Sequence, residues 1–273
     1  MIAAIIQCRL GSTRLPNKIF MKIEGKTILD HLIERVKKSK YIERIIIATT
    51  TKKIDDRVVE FSRKNSFDYY RGSESDVLDR FYQTAKKFNV DTIVRVTPDN
   101  PMIDPKVMDF VIKKFLEYKY LDYASNVYPT QTFPNGLDTE VFSFKALKYL
   151  WGKTKDRVDR EHVTFYIKNH PTEFKTYCIK SKVNLSSIKV SVDRNKDLIF
   201  VKKIFKELYK NGEIFYLEDI TKLLRKRGEL LKINMDEIVN EGLMISLKRE
   251  KRTGDINNLK KELVIRKTKA SLF

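Results

Sequence analysis

Residues 2–18 have the sequence IAAIIQCRLGSTRLPNK and contain the two features that decide the fold. Residues 2–7 form an apolar run that predicts a buried strand, and Gly11 marks its end. The loop that follows carries three cationic side chains around Gly11 and Ser12, namely Arg9, Arg14 and Lys18. A buried strand followed directly by a basic loop is the arrangement expected where an α/β sheet meets an anionic ligand.

The rest of the chain alternates apolar runs with segments of helical spacing. We predict further strands at residues 44–50, 67–70, 92–96, 140–144 and 188–192. We predict helices at residues 27–38, 54–64, 76–88, 105–118, 145–151, 161–169 and 197–209. The fold class is therefore α/β, a mostly parallel sheet flanked by helices. Ligands of such sheets bind beyond the carboxyl ends of the strands, so the loops after residues 7, 70 and 96 should share one rim.

The chain has 273 residues, which suits one α/β domain with an extension. We predict an α/β domain at residues 1–215 and a helical, basic C-terminal extension at residues 216–273. Residues 251–273 contain seven Lys or Arg and two Asp or Glu, which predicts a solvated helix or a frayed tail.

The formal net charge of +19 favours anionic partners, such as nucleotides, phosphorylated sugars, nucleic acids or acidic membranes. The lysines are spread along the chain, and a lysine-rich composition is also typical of thermophilic proteins. No apolar run reaches the roughly 18 residues that span a bilayer, and the N-terminus lacks a signal-peptide pattern, so we expect a cytoplasmic protein. Cys8 and Cys178 are far apart, so we expect neither a disulfide framework nor a thiolate metal site.

The basic loop has the chemistry that a triphosphate requires. Gly11 and Ser12 offer backbone amides that a phosphate can approach closely, and the three cations supply fixed positive charge. The loop lacks the GxxxxGK[ST] pattern of a Walker A motif. The alternative interpretation is an ordinary solvated basic turn.

Five ordered segments resemble one family. They are IIQCRLGSTRLPNK at residues 5–18, RGSESDVLDR at 71–80, VRVTPDNP at 94–101, FPNGLDTE at 133–140 and REHV at 160–163. The chain resembles the sugar-acid cytidylyltransferases, which include the CMP-sialic acid and CMP-Kdo synthetases. With Gln7 and Arg9 it is most similar to the spore-coat polysaccharide biosynthesis protein F group. The resemblance extends to about residue 250.

This resemblance implies a nucleotide-diphospho-sugar transferase-like fold and a reaction in which an acceptor oxyanion attacks the α-phosphate of CTP and pyrophosphate leaves. It implies Mg²⁺ as cofactor, held by Asp99 and Asp193. The implied catalytic residues are Arg14, Lys18 and Asp99. The implied nucleotide-binding residues are Gln7, Arg9, Gly11, Ser12, Arg71, Gly72, Ser73, Asp76 and Thr97. The implied acceptor-binding residues are Arg95, Asp138, Glu140 and His162.

The acceptor expected from this resemblance is a small acidic sugar or a phosphorylated molecule, and a homodimer is a possible assembly. Several residues keep a structural alternative. Asp99 and Asp193 suit turn or capping positions, and Asp76 suits a helix N-cap as well as a ligand contact. An acidic acceptor is already ionised at neutral pH, so we favour substrate binding or packing over a general-base role for His162.

Two other functions fit parts of the sequence. A glycosyltransferase of the same fold is one, but the chain contains no Asp-x-Asp motif. A nucleic-acid-binding protein is the other, favoured by the sequence pI of 9.7. No recognised nucleic-acid-binding module is present in the sequence, so we regard nucleic acid as an unlikely partner.

Overall fold

The computed structural model describes residues 1–210 and 213–269, with side chains described up to residue 261. The strands, in chain order, are β1 (Ile2–Gln7), β2 (Lys22–Ile23), β3 (Lys26–Thr27), β4 (Arg44–Thr50), β5 (Asp68–Gly72), β6 (Thr92–Val96), β7 (Tyr123–Ser125), β8 (Glu140–Ser143) and β9 (Thr176–Cys178). Within the described residues, seven of them form one sheet in the order β5-β4-β1-β6-β8-β7-β9. Strands β2 and β3 form a separate antiparallel pair.

The helices lie on both faces of the seven-stranded sheet and continue beyond it. They are α1 (Ile28–Val36), α2 (Asp56–Lys64), α3 (Val77–Lys87), α4 (Pro105–Glu117), α5 (Phe144–Lys153), α6 (Arg157–His162), α7 (Phe165–Asn169), α8 (Asn195–Leu208), α9 (Leu217–Lys226), α10 (Glu241–Arg249) and α11 (Thr253–Lys269). The predicted α/β class, with a mostly parallel sheet flanked by helices, is confirmed.

Strands β5, β4, β1 and β6 run parallel, so their carboxyl ends share one rim as predicted. Strand β8 runs antiparallel to both β6 and β7. This reversal brings the first residue of β8, Glu140, opposite Arg95 near the end of β6. The loops after residues 7, 70 and 96 therefore meet the start of β8 at one edge of the sheet.

Alternation along the central strands gives the sheet two apolar faces. Ile6 and Val94 pack with α1 and α4 on one face, whereas Ile5 and Ile93 pack with α3 and α5 on the other. Local signals start the helices at the expected places. The Thr27 side chain caps α1 in a capping box with Asp30.

Two predicted elements differ from the structure. Residues 188–192, predicted as a strand, form only an isolated bridge between Lys189 and Asn135, because the apolar side chains of this segment are buried by helices rather than by a strand partner. Residues 161–169, predicted as one helix, are split between α6 and α7. Val163 has a φ of 57° between them, which a continuous right-handed helix cannot contain.

The C-terminal part is helical and packs on the sheet domain. Ile220 and Leu224 of α9 belong to the same hydrophobic cluster as Phe200 and Phe205 of α8. Helices α10 and α11 pack on α6 and α7 through a second cluster. The division of the chain at residue 216 stays a prediction. Among the described residues, no helix has the length and apolarity that a membrane span requires.

Candidate active site

A cleft of about 970 Å³ lies at the rim where the parallel strands end. Its walls come from the loops after β1 and β6, from the segment before β8, from α6 and α7, and from α10 and α11. The predicted site residues that line it are Gln7, Arg9, Ser12, Arg14, Lys18, Arg95, Thr97, Asp99, Asp138, Glu140, His162 and Asp193. Topology thus brings together side chains that are up to 186 positions apart in sequence.

The loop after β1 is folded so that its last cation points inward. The backbone N–H of Leu10 donates to the Asp55 carboxylate at 2.7 Å, and the loop turns at Asn17, whose φ is 56°. Lys18 then begins a short 3₁₀ turn and is only 8% exposed. A lysine buried to this degree requires anionic or carbonyl partners.

Lys18 finds those partners in two carboxylates from different loops. Its Nζ donates to Asp99 Oδ2 at 2.6 Å, to Asp193 Oδ1 at 3.1 Å and to the carbonyl of Val192 at 2.9 Å. Because both carboxylates contact one nitrogen, these two oxygens lie within about 6 Å of each other. Burial lowers the pKa of Lys18, but the charges of Asp99 and Asp193 outweigh it and raise the pKa above its ordinary value.

Asp193 is held from several sides. Arg14 Nη2 donates to Oδ1 at 2.9 Å, and Lys189 Nζ lies 3.3 Å from Oδ2. Burial raises the pKa of Asp193, but the charges of Lys18, Lys189 and Arg14 outweigh it and lower the pKa to about 2. Lys189 is itself paired with the fully buried Asp197 at 2.6 Å. The position of the Asp193 carboxylate is therefore fixed by charge on both oxygens.

A close backbone contact sets the path of the segment that carries Asp193. Gly136 has a φ of 107°, and a Cβ added there would lie 2.5 Å from the backbone nitrogen of Ser191. The backbone N–H of Val192 donates to the carbonyl of Asp99 at 2.9 Å. Only glycine permits this approach at residue 136, and the approach places residues 188–193 beside the loop after β6.

The other end of the cleft is organised around Glu140, which is 4% exposed. Its carboxylate forms ion pairs with Arg95 and, at 3.4 Å, with Lys168. It also accepts hydrogen bonds from the hydroxyls of Tyr123 and Thr164, each at 2.6 Å. Burial raises the pKa of Glu140, but the charges of Lys168 and Arg95 and these hydrogen bonds outweigh it, so the pKa lies well below its ordinary value.

His162 lies beside this cluster at the end of α6. Burial lowers the pKa of His162 to about 4, although the nearby Glu161 carboxylate acts in the opposite direction. The imidazole is therefore neutral near pH 7. Its Nε2 lies 3.0 Å from the Ser246 hydroxyl of α10.

Comparison with known proteins identifies the family to which this chain belongs. The family model described as cytidylyltransferase matches residues 3–241. The chain belongs to the cytidylyltransferase family. The match covers the cleft residues described so far, except those of α10 beyond residue 241. It shows that the protein is a nucleotidyltransferase. This outcome favours nucleotidyl transfer over the glycosyltransferase and nucleic-acid-binding alternatives.

Three known proteins are similar to this chain over most of its length. The uncharacterized protein MJ1063 of Methanocaldococcus jannaschii is 41% identical over 212 residues, which are 77% of this chain and 84% of MJ1063. The spore coat polysaccharide biosynthesis protein SpsF of Bacillus subtilis is 30% identical over 214 residues, 76% of this chain and 87% of SpsF. A cytidylyltransferase structure from Leptospira borgpetersenii superposes with a TM-score of 0.80 at 30% identity, covering 87% of this chain and 98% of that one. The family resemblance of the sequence motifs is thereby confirmed.

Some predicted nucleotide-binding residues of this cytidylyltransferase line the cleft and also contact its other groups. Gln7 Oε1 accepts from Arg95 Nε at 3.2 Å, and Thr97 Oγ1 accepts from Asn100 Nδ2 at 2.9 Å. Arg9 lies 3.7 Å from Glu74, and nearly half of its side chain is exposed. Ser12 Oγ contacts the backbone N–H of Leu15 at 3.4 Å.

Arg71, Gly72 and Ser73, at the end of β5, do not line the cleft, whereas the neighbouring Glu74 does. The Arg71 guanidinium donates to the carbonyls of Thr50 and Lys52 and pairs with Asp56 at 2.7 Å. Gly72 and Ser73 pack against the buried Arg80, which donates to the Ser73 carbonyl at 2.7 Å.

Two more of the predicted nucleotide-binding residues contact other parts of the protein. Asp76 caps α3 through the backbone N–H of Asp79 and pairs with Arg160 at 2.7 Å. A Cβ added at Gly11 would lie 3.5 Å from Glu74 Oε1. The nucleotide-binding role of Gly11, Arg71, Gly72, Ser73 and Asp76 stays a prediction.

Asp138 faces the cleft from the loop before β8. Its carboxylate accepts hydrogen bonds from Gln131 Nε2 at 2.8 Å and Asn135 Nδ2 at 3.2 Å. Asp138 and Glu140 therefore both line the cleft, and Glu140 is the more deeply buried.

Sequence analysis missed several residues that shape this site, namely Lys168, Lys189, Asp197, Glu241, Ser246 and Arg249. Lys189 carries a signal in the sequence, because it is a single cation within the apolar run at residues 188–192. Asp197 also carries one, since it is the N3 residue of α8 and accepts from the backbone N–H of Arg194. The remaining four depend on contacts between distant parts of the chain.

Proposed function

We propose that this cytidylyltransferase uses Mg²⁺ and CTP to activate a small acidic sugar, or a related phosphorylated acceptor, for surface polysaccharide or glycoconjugate biosynthesis. The acceptor oxyanion attacks the α-phosphorus of CTP, a new P–O bond forms, and the bond to the bridging oxygen breaks to release pyrophosphate. The observation that carries this proposal is the buried Lys18 held between Asp99 and Asp193 at the rim of the sheet.

The loop after β1 supplies positive charge where the transferred phosphate requires it. Charge accumulates on phosphoryl oxygens during transfer, so cations fixed beforehand lower the barrier. Lys18 and Arg14 are both fixed, since each is tied to Asp193 by a hydrogen bond of 3.1 Å or less. Their positions are set before any nucleotide arrives, which reduces the reorganisation that the reaction requires.

The carboxylates fit a magnesium site that substrate oxygens complete. Mg²⁺ is usually held by one or two carboxylates together with phosphates and water, and Asp99 and Asp193 are the residues that would hold it. Among the described residues, nothing donates a hydrogen bond to Asp99 Oδ1, so this oxygen is open to a cation. Larger clusters of His, Cys, Asp and Glu with metal-ligating geometry do not occur in the described part of the chain. When bound, Mg²⁺ would neutralise phosphate charge and orient the triphosphate.

The opposite end of the cleft suits an acid. Arg95 and Lys168 share the single carboxylate of Glu140, which leaves a local excess of positive charge facing the cleft. A phosphate acceptor is ionised at neutral pH and needs no base to generate its nucleophile, whereas a sugar acid that attacks through a hydroxyl must also lose that proton. His162 has a pKa lowered to about 4 and is a weak base, so we assign it a hydrogen-bonding role towards the acceptor.

A nucleotide panel tests the proposal. We expect CTP with Mg²⁺ to raise the melting temperature more than ATP, GTP or UTP, and we expect pyrophosphate release from CTP with an acidic acceptor. The panel of acceptors is 3-deoxy-manno-octulosonate, N-acetylneuraminate and a sugar phosphate. Lys22→Ala, which removes an exposed lysine outside the cleft, should behave as the wild type.

Each part of the proposal has its own contrary outcome. Equal stabilisation by all four nucleotides contradicts the cytosine preference. Full activity in the presence of a chelator contradicts the magnesium requirement. Tight CTP binding without pyrophosphate release for any acid contradicts the acceptor class.

A further inference from the structure

Helices α10 and α11 form one wall of the cleft, although the family match ends at residue 241. The residues of this wall that line the cleft include Gly242, Leu243, Ser246, Arg249, Asn258 and Lys261. The wall faces the half of the cleft that contains His162 and Lys168. An element outside the family match therefore lies where the acceptor is expected.

The wall is packed in place. Leu247 is fully buried, and it belongs to a hydrophobic cluster with Val158 of α6 and Phe165 of α7. Arg252 Nη1 donates to the Asp156 carboxylate at 3.0 Å, and its guanidinium lies 5.5 Å from the Phe165 ring centroid. Of the two predicted forms for this segment, the described part is the helix α11, and its Leu259 is buried in the same cluster as Leu247.

Ser246 connects the wall to His162. Its buried hydroxyl lies 2.9 Å from Glu161 Oε2 and 3.0 Å from His162 Nε2. The hydroxyl also lies 3.1 Å from the carbonyl of Gly242. An ionised carboxylate and a carbonyl can only accept, so the hydroxyl donates to one of these two and accepts from Nε2–H of His162. This assignment leaves Nδ1 of His162 as a hydrogen-bond acceptor.

Arg249 brings a third cation to the same place. Its Nη2 donates to Glu161 at 2.7 Å and its Nε to Glu250 at 3.2 Å, while no described residue accepts from Nη1. Arg95, Lys168 and Arg249 line the same cleft as His162, and Arg249 is linked to His162 through Glu161 and Ser246. Three cations in one cleft with a neutral hydrogen-bonding group form a suitable environment for an anion that also bears hydroxyls, although Glu161 already neutralises part of the charge of Arg249.

We propose that α10 determines acceptor specificity: Arg249 binds the acid group of the acceptor together with Arg95 and Lys168, and Ser246 positions His162 to accept a hydrogen bond from an acceptor hydroxyl. This inference rests on the proposed function, because it concerns the acceptor half of the same cleft. It assigns to a segment outside the family match a role that the matched region does not fill alone.

The test compares Arg249→Met with Lys248→Met, which changes the neighbouring exposed lysine that does not line the cleft. Steady-state pyrophosphate release is measured with CTP and with 3-deoxy-manno-octulosonate or N-acetylneuraminate. We expect Arg249→Met to raise KM for the acid about 10- to 100-fold, since charged hydrogen bonds contribute that much to binding. KM for CTP and the CTP-induced shift in melting temperature should remain as in the wild type. Lys248→Met should change neither constant.

Ser246 is tested as a positioning residue. Ser246→Ala should raise KM for the acid several-fold at constant KM for CTP, and Ser246→Thr, which keeps the hydroxyl, should restore it. The melting temperatures of both variants without ligand show whether the wall stays folded. Loss of acid binding in a variant whose melting temperature is unchanged supports the positioning role.

The outcomes separate this inference from the proposed function. If the wild type is active and Arg249→Met keeps the KM for the acid, the inference is wrong and the proposed function stands. If Arg249→Met raises KM for CTP as much as KM for the acid, Arg249 serves the nucleotide and the inference is also wrong. If the wild type neither binds CTP nor releases pyrophosphate with either acid, the proposed function fails, and this inference fails with it.

Discussion

Each end of the cleft contains one buried charged side chain flanked by two side chains of the opposite charge, and the signs of the charges are reversed between the two ends. At the phosphate end, the cation Lys18 lies between two carboxylates, Asp99 and Asp193. At the acceptor end, the carboxylate Glu140 lies between two cations, Arg95 and Lys168. Both central groups are less than one-tenth exposed, so neither is screened strongly by water.

Under the proposed function, this difference determines what each end binds. At the phosphate end, no described residue donates to Asp99 Oδ1, so this carboxylate oxygen would be available to a divalent cation. At the other end, a carboxylate shared by two cations leaves positive charge that an acid would neutralise. The same arrangement, a buried ion with two partners of opposite charge, would then serve metal and phosphate at one end and an organic anion at the other.

Removing the central cation should have the largest effect. Lys18→Ala leaves Asp99 and Asp193 facing each other, so we expect the free energy of unfolding to fall by about 3–5 kcal/mol and turnover to fall about 10²–10³-fold. Mg²⁺ should restore more stability to this variant than it adds to the wild type. Urea unfolding with and without Mg²⁺ measures both effects, with Lys22→Ala as the control. An unchanged unfolding free energy would show that the two carboxylates do not depend on Lys18.

Removing the central carboxylate should act in the opposite sense. Glu140→Gln leaves Arg95 and Lys168 without their shared partner, and we expect a loss of about 3 kcal/mol in unfolding free energy. Inorganic phosphate should stabilise this variant more than the wild type, because it can replace the missing charge. Glu117→Gln, at an exposed pair on α4, should leave the unfolding free energy close to that of the wild type. A variant that responds to Mg²⁺ instead of phosphate would contradict the comparison.

Acid should weaken the phosphate end through Asp193. Its pKa is lowered from 3.8 to about 2, so its stabilising effect is complete above pH 3.8 and is lost as the pH falls towards 2. The whole effect amounts to about 2 kcal/mol. We expect the difference in unfolding free energy between wild type and Asp193→Asn to shrink by this amount between pH 5 and pH 2. A parallel pH profile for wild type and Asp193→Asn would refute the assignment.

The fold could be predicted because local patterns determine its main elements. The bounds of β4 and β6 and the cap of α1 follow from apolar runs and from Thr27. Strands β7 and β9 were missed, since three residues are too few to show a period of two. The apolar run at residues 188–192 predicts burial correctly, but burial alone does not require a strand partner.

The candidate site could be predicted only where strand ends determine it. The loops after β1 and β6 follow from topology, and they place Lys18 beside Asp99. The link to Asp193 came from family resemblance. Lys168 and Arg249 could not be found, because exposed-looking lysines and arginines are common in a chain with 55 of them and only tertiary contacts single out these two.

A mutation that replaces Gly136 would disturb the site, although Gly136 itself does not line the cleft. Any other amino acid at position 136 has a Cβ, and that Cβ would lie only 2.5 Å from the backbone nitrogen of Ser191. The displaced segment is the one that ends in Asp193, so the damage would appear at the phosphate end of the cleft. In a population of random variants, selection would therefore act on residue 136 as severely as on a ligand, although its only contribution is the absence of a side chain.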